Sequence, residues 1–522
     1  MKEISTEPRE YQKAIYETAR DNNTLVVLPT GLGKTLIALM LAVDRKKKFP
    51  LSKIVVLAPT RPLVEQHLKS FEKNLPELWC EMVLFTGSVN AQKRREMFNT
   101  AEIIFSTPQC VANDLRAGLY SMEEVSLLVI DECHRCLKNY DYTAVVDYYK
   151  RQGANQRVLG LTASPGHESG KIKEICKHMS IDEIEVRDRD SPDVREYLQK
   201  REFEKVEVPF PTEFQEIKVL LKRIYDSKVG ELRKRNLLFG PANKITLLKL
   251  QGRLAGQVSG ERNFNAMLGM SATASAIKIV HALELLETQT LSGLKDYLDG
   301  LIWQANQKKS KGVQKLVKMP EFNAARISLQ GLLAKKIEHP KIEETAVLIE
   351  KELGKNENFK GIVFAQFRET GERIVERLNK INGIKAVSFV GQAKKGNTGL
   401  SQKEQKAIIS KINSGEINVL VATSIGEEGL DIAEVSLVMF YEPIPSAIRK
   451  IQRAGRTARL APGKLIILVT KDTRDVIAHW ASTAREKKMY RVLGEVKEGL
   501  GKKDLGDFGG SGGGKKTLGD FE

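Results

Sequence analysis

Cysteine is scarce in this chain, acid is outnumbered by base, and long apolar runs are missing. The five cysteines among 522 residues, at 80, 110, 133, 136 and 176, are irregularly spaced. They form no disulfide framework, which suits a reducing compartment. Cys133-His134-Arg135-Cys136 is a single C-x-x-C with no second pair nearby, so it belongs to another motif rather than to a zinc site. No apolar stretch looks long enough to cross a membrane, and the charged segment Met1–Arg9 lacks the apolar core of a secretory signal. Asp and Glu number 66 against 83 Lys and Arg, a net charge of +17 with a pI near 9.4, which points to a polyanionic partner. A hydrophobic content of 41% supports globular cores, and the length calls for about two to four domains.

The chain is organised around Thr24-Leu-Val-Val-Leu-Pro-Thr-Gly-Leu-Gly-Lys-Thr35. A short apolar run reads as a buried parallel strand, and Leu36–Val43 reads as a helix. A glycine loop between them presents backbone N–H groups and a positive helix end to phosphates. Thr30, Gly31 and Gly33 shape that loop, Lys34 reaches the β- and γ-phosphates, and Thr35 holds Mg²⁺. The general phosphate-loop pattern has glycine at position 28, where this chain has leucine. Upstream, Arg9 and Gln12 are candidates for the nucleotide, Gln12 because its amide can pair with an adenine edge.

Further buried strands follow at Ile54–Ala58, Val125–Ile130 and Val158–Leu161. Thr60 and Arg61, Thr86 and Gly87, and Thr107 end strands or loops, where small hydroxyl residues let a sugar–phosphate chain approach. Asp131 and Glu132 end the second of these strands: Asp131 for Mg²⁺, Glu132 to polarise the attacking water. The hydroxyl pair Thr162 and Ser164 could couple the nucleotide site to movement. From about Phe203 to Pro340 the strand pattern disappears, and Phe214–Arg235, Leu247–Val258, Ala266–Leu286 and Leu291–Ala305 have amphipathic helix spacing. This stretch holds 22 Lys/Arg and 13 Asp/Glu, a net of +9, with Lys234 and Arg235 among the candidate DNA contacts. Strand-like runs then return at Gly361–Ala365, Ala386–Val390, Val419–Thr423, Leu437–Glu442 and Leu465–Thr470. Gln366, Arg368 and Thr423 are further candidate DNA contacts, and Gly429 and Asp431 are candidates for ATP, Asp431 at its ribose. Gln452, Arg456 and Arg459 lie on a helix-like stretch, the arginines suited to neutralising a γ-phosphate.

Taken together these segments resemble superfamily 2 helicases over most of the chain. The nearer resemblance is to archaeal Hef and the Fanconi anaemia M protein. It is carried by Asp131-Glu-Cys-His134, Gly160-Leu-Thr-Ala-Ser-Pro-Gly166, Phe389-Val-Gly-Gln-Ala393, Gly399-Leu-Ser-Gln-Lys-Glu-Gln405 and Phe440-Tyr-Glu-Pro-Ile-Pro-Ser-Ala-Ile-Arg449. The resemblance implies ATP-driven 3′→5′ translocation that unwinds or remodels forks and Holliday junctions, and a fork-binding role for the helical insert. The last arginine motif departs from the family in carrying Ala458 for glycine. No nuclease signature appears, so a nuclease is expected only as a separate partner. The fold class is then α/β: two RecA-like parallel-sheet motor domains, a helical insert and a disordered tail. The expected boundaries are 1–202 (ATP-binding), 203–340 (insert), 341–496 (second motor domain) and 497–522 (tail).

In the tail, Lys502-Lys-Asp-Leu-Gly-Asp-Phe508 recurs almost unchanged as Lys515-Lys-Thr-Leu-Gly-Asp-Phe521 around a glycine-rich spacer. Leu505, Phe508, Leu518 and Phe521 place paired apolar anchors suited to a sliding clamp's pocket. The expected setting is the cytoplasm, at the nucleoid, with no membrane. Two other readings compete: a double-stranded-RNA-dependent translocase of the Dicer or RNA-sensor type, which shares the Asp-Glu-Cys-His box and the insert position, and a scaffold that only tethers partners at forks, which has no need of Lys34, Thr35, Asp131, Glu132, Arg456 and Arg459 together.

Overall fold

The computed structural model describes residues 4–75, 80–199, 201–260, 263–308, 310–356, 358–391, 399–423, 435–455, 457 and 462–501. They fall into two units, one running to Arg195 and resumed from Arg485, the other from Glu196 to Ala484.

In the first unit, β1 (Thr24–Val27), β2 (Lys53–Leu57), β3 (Met82–Phe85), β4 (Ile103–Ser106), β5 (Val125–Asp131), β6 (Val158–Thr162) and β7 (Glu183–Val186) form one sheet. Its order is β3-β4-β2-β5-β6-β1-β7, and every pairing is parallel. The apolar runs of β1, β2, β4, β5 and β6 are buried along their whole length, as a sheet covered on both faces requires. Helices make the crossovers: α1 (Glu10–Asp21) precedes β1, α2 (Lys34–Lys48) links β1 to β2, and α3 (Arg61–Asn74) links β2 to β3. Parallel strands bring their following loops to one edge, and the register aligns them. Leu57 and Phe85 are level with Ser106, Asp131 with Leu161, and Val27 with Thr162.

The second unit holds a six-stranded parallel sheet of β8 (Arg201–Val208), β9 (Gly361–Phe364), β10 (Ala386–Phe389), β11 (Val419–Ala422), β12 (Leu437–Phe440) and β13 (Gly463–Thr470). Its order is β10-β11-β9-β12-β13-β8. The strand pattern therefore does not end at Phe203: residues 203–208, expected within the insert, pair with β13. This strand escapes a hydrophobicity reading because it lies at the sheet edge and is mostly charged. Glu204 and Glu207 instead pair with Lys464 (2.6 Å) and Lys471 (3.3 Å). The C-terminal helix Arg474–Gly501 also departs from the expected boundary, since its residues from Arg485 on belong to the first unit.

Between β8 and β9 lie helices Gln215–Lys234, Lys244–Gly260, Phe264–Thr288, Leu291–Asn306, Lys311–Val317 and Pro320–Ala334. Asn263, Thr290 and Ser310 each cap a helix by accepting a backbone N–H, and Pro320 opens the last one. Ile217, Leu221, Ile224, Leu286, Leu294, Leu298, Phe322 and Leu329 form a shared core. Each such side chain contributes about 1.5–3 kcal/mol by burial. Against the expectation of no membrane-length run, Phe264–Thr288 is long and apolar enough to cross a membrane by length and composition. Its burial gives a different reason for that composition: Ala272, Ala276, Ile279, Leu283 and Leu286 are all inside the bundle.

A buried polar network ties this bundle to the second sheet. Gln289 accepts a hydrogen bond from Thr370 Oγ1 (2.9 Å) and donates to Glu442 Oε2 (3.3 Å). Lys341, fully buried, pairs with Asp475, whose Oδ2 also accepts from the Thr470 N–H (3.0 Å). Burial pushes the Glu442 carboxyl up from 4.5 to about 7, against the opposing charges of Lys341 and Arg453 and the bond from Gln289. Burial likewise pushes His339 down to about 3. An acid whose folded pKa is raised favours the native state when protonated. Its contribution is full below the unfolded value and is lost as pH rises through the folded one. For Glu442 that window runs from about 4.5 to about 7 and is worth about 3 kcal/mol. Glu442→Gln should remove this decline. Melting temperatures measured by calorimetry from about pH 5 to about pH 8 should converge on those of wild type at the acid end and exceed them at the alkaline end.

Candidate active site

After β1 the chain turns through two left-handed glycines, Gly31 (φ 88°) and Gly33 (φ 72°), and Gly33 is the N-cap of α2. A side chain at Gly33 would place its Cβ 2.4 Å from Gln12 Nε2. Two residues of α1 hold the loop from outside. Tyr11 donates its hydroxyl to Leu32 O (2.8 Å), and Gln12 Nε2 donates to Leu32 O (3.1 Å). The other end of the Gln12 amide accepts from the Arg9 N–H (2.9 Å). In this state Gln12 bonds the loop and its own helix, and it lies beside the phosphate loop. Lys34 Nζ donates to Leu28 O (2.9 Å), Thr35 follows in the first turn of α2, and Thr30 Oγ1 is buried with no hydrogen-bond partner among the described residues.

Asp131 ends β5, and Tyr142 fixes its carbonyl with a 2.7 Å hydrogen bond. Its carboxylate accepts from His67 Nε2 at 2.9 Å. Burial alone would raise this carboxyl. The bond and charge of His67, the charge of Lys34 and the Glu132 N–H outweigh it and hold the group below the ordinary carboxylate range. Glu132 is a non-glycine residue with φ 49°, a conformation that costs on the order of 1 kcal/mol and clusters at functional sites. Its Oε2 lies 3.1 Å from His134 Nδ1, yet His134 aligns with Thr162 Oγ1 (3.1 Å), leaving Glu132 Oε2 without a hydrogen bond among the described residues. Thr162 Oγ1 also accepts from the Ser164 N–H (3.1 Å), and Ser164 Oγ lies 2.9 Å from Met489 Sδ on the C-terminal helix. Cys133 and Cys136 are buried in the turn after Glu132, and no described group of residues could hold a metal through them.

The other half of the same edge carries Thr60, Arg61, Thr86, Gly87 and Thr107. Thr60 and Thr107 are the N-cap residues of α3 and of helix Pro108–Arg116, but neither side chain caps its helix. Thr60 Oγ1 is buried with no hydrogen-bond partner among the described residues, Thr86 Oγ1 meets Ser88 Oγ (2.8 Å), and Arg61 pairs with Glu65 (2.7 Å). Space is open where a side chain on Gly87 would point. In the second unit, Gln366 and Thr423 follow the adjacent strands β9 and β11, and Arg368 donates to Gly391 O (3.1 Å). Gln452 is buried in helix Ala447–Ala454. In the bundle, Lys234 is exposed, whereas Arg235 is engaged by Glu231 (3.4 Å) and Asn265 (3.2 Å). Gly429, Asp431, Arg456 and Arg459 lie outside the described residues, as do Gln392, Ala393 and the tail anchors Leu505, Phe508, Leu518 and Phe521. Tyr11 and His67 enter the site only through the structure. Tyr11 stands directly before Gln12, but nothing in the local pattern marks His67.

An anion-binding loop, a lysine and two adjacent carboxylates on one parallel-sheet edge define a phosphate-hydrolysing motor class with two RecA-like sheets. Comparison with known proteins takes this further. Residues 9–172 match the DEAD/DEAH box helicase model, 342–461 the helicase conserved C-terminal domain, and 213–337 an ATP-dependent RNA helicase helical bundle model. The chain is 35% identical over 495 residues to a protein of Methanocaldococcus jannaschii named as an ATP-dependent RNA helicase, covering 94% of this chain and 61% of that one. It is 33% identical over 484 residues to the ATP-dependent DNA helicase mph1 of Neurospora crassa, covering 89% and 41%. The crystal structure of the Pyrococcus furiosus Hef helicase domain superposes with a TM-score of 0.69 at 42% identity, covering 91% of this chain and 98% of that one. The chain belongs to the superfamily 2 helicases of the Hef and Fanconi anaemia M type. It spans less than two thirds of the length of these curated relatives.

Gly33→Ala tests the loop directly. The left-handed conformation and the contact with Gln12 should together lower nucleotide affinity by about ten-fold or more, read by calorimetric titration.

Proposed function

We propose that the chain is an ATP-dependent DNA helicase or translocase that unwinds or remodels forked DNA and Holliday junctions, with 3′→5′ polarity. The observation that carries this reading is the shared edge: the phosphate loop and the Asp131–Glu132 pair sit beside a row of hydroxyl residues on adjacent strands of one sheet. The residues present suit ATP and Mg²⁺. Gly31 and Gly33 take the left-handed backbone angles that shape the loop, Thr30 Oγ1 is buried with no hydrogen-bond partner among the described residues, and Asp131 is held ionised. Thr35 and Asp131 would hold the metal, which neutralises phosphate charge when bound. Lys34 exchanges its bond to Leu28 O for phosphate oxygens. Glu132, with one oxygen free of hydrogen bonds among the described residues, orients the attacking water and takes its proton. Arg456 and Arg459 neutralise the γ-phosphate, with Gln452 beside them in sequence.

DNA is favoured by the family resemblance and by the name of the Neurospora relative. The name of the archaeal relative keeps RNA among the ligands to be tried. ATPase rate measured against forks, Holliday junctions, plain duplex and double-stranded RNA separates them, and the largest stimulation is expected with branched DNA. Lys34→Ala should abolish hydrolysis and leave DNA binding within about two-fold of wild type, since the lysine acts on phosphates of the nucleotide. Glu132→Gln should keep ATP binding and lose hydrolysis by about a hundred-fold or more. Loss of ATP binding in the glutamine variant would reassign Glu132. We further propose action in the cytoplasm at the nucleoid, alongside a separate nuclease, and weak clamp docking by the tail. Titration of a peptide of residues 497–522 against a sliding clamp tests the docking. Binding should be lost when Leu505, Phe508, Leu518 and Phe521 are replaced by alanine.

A further inference from the structure

Helix α3 buries Val64, His67 and Phe71 on one face, so a single polar residue sits in the middle of an apolar stripe. Phe71 packs edge-on against Phe105 (5.1 Å), which holds that end of the helix to the sheet. His67 Nε2 lies 2.9 Å from Asp131 Oδ2, and His67 Nδ1 is buried with no hydrogen-bond partner among the described residues. Because a carboxylate can only accept, Nε2 carries the proton and donates it. A histidine kept only for structure would have both nitrogens satisfied, since an orphaned buried group costs about 1–3 kcal/mol. Among the described residues, the ring's one hydrogen bond goes to the carboxylate proposed to serve the nucleotide. The other end of α3 carries a second orphan. Thr60, its N-cap, has a buried hydroxyl that caps nothing, and Arg61 begins the helix. Arg61 and His67 are six residues apart, about 9 Å along the helix axis.

We infer that His67 is a positioning residue through which α3 couples nucleic acid at Thr60 and Arg61 to the carboxylate of Asp131. The inference rests on the DNA-motor reading above. A phosphate bound at the N-terminus of α3 satisfies the Thr60 hydroxyl and fixes the helix. His67 moves with its helix, so the orientation of the Asp131 carboxylate follows. By reciprocity, nucleotide and metal bound at Asp131 must alter DNA affinity by the same factor.

DNA affinity by fluorescence anisotropy, with and without a non-hydrolysable ATP analogue and Mg²⁺, tests this on the full chain. Wild type should show a nucleotide-dependent change of at least about five-fold. His67→Leu keeps the apolar stripe and removes the donor, and it should bring that ratio to within about two-fold of one. His67→Gln, whose amide can still donate to Asp131, should restore it. A folded leucine variant with the wild-type ratio overturns the inference. Loss of the ratio in both variants also overturns it, because only packing would then remain as the role. Should the leucine variant fail to fold, His67→Asn, polar but too short to reach Oδ2, takes its place with the same expected and overturning results. A wild-type ratio near one on every DNA and RNA ligand would sink the motor reading itself, and this inference with it.

Discussion

Parallel strand direction is the constraint on which the first unit depends. Strands that all run one way need crossovers, the crossovers are helices, and ligand-facing loops are left at one edge. At that edge α2 begins at the phosphate loop, α3 begins beside Thr60, and β5 delivers Asp131. In the proposed function, nucleotide chemistry and nucleic-acid contact are neighbours because their candidate residues follow adjacent strands of one sheet. The short helix connections also explain why one residue of α3 reaches Asp131 without any special loop.

The second unit is held by a different balance. Its bundle has an apolar core of ordinary leucines and isoleucines, but a buried polar group, Gln289 with Thr370 and Glu442, also joins it to the elements of the second sheet. Breaking one partner of such a network leaves a charge or an amide without compensation, whereas apolar packing tolerates many substitutes. Burial raises the Glu442 carboxyl of this network, against the charges of Lys341 and Arg453 and the bond from Gln289.

What sequence could disclose follows from these physics. Buried parallel strands are runs of Val, Ile and Leu, so β1, β2, β5 and β9 to β13 are readable within a residue or two. The loop at Gly31 and Gly33 is readable because only glycine takes its backbone angles comfortably. β8 was hidden because an edge strand need not be apolar, and its cross-strand ion pairs leave no periodic signature. Of the last two bundle helices, which the sequence reading leaves out, Lys311–Val317 is only seven residues long. His67 was illegible for another reason: its partner is 64 residues away, and only the sheet brings the two together.

The scarcity of cysteine has a practical consequence. All five are free thiols, four of them buried, and Cys80 is half-covered with its thiol pushed up to about 12 by burial. Alkylating reagents attack the thiolate, so at neutral pH these side chains offer them very little. A cysteine introduced on an exposed surface, for instance in place of Lys234, would become the reactive site without first stripping the native ones. A fluorophore could then be placed at a chosen position on the bundle, which opens the protein to distance measurements on single molecules.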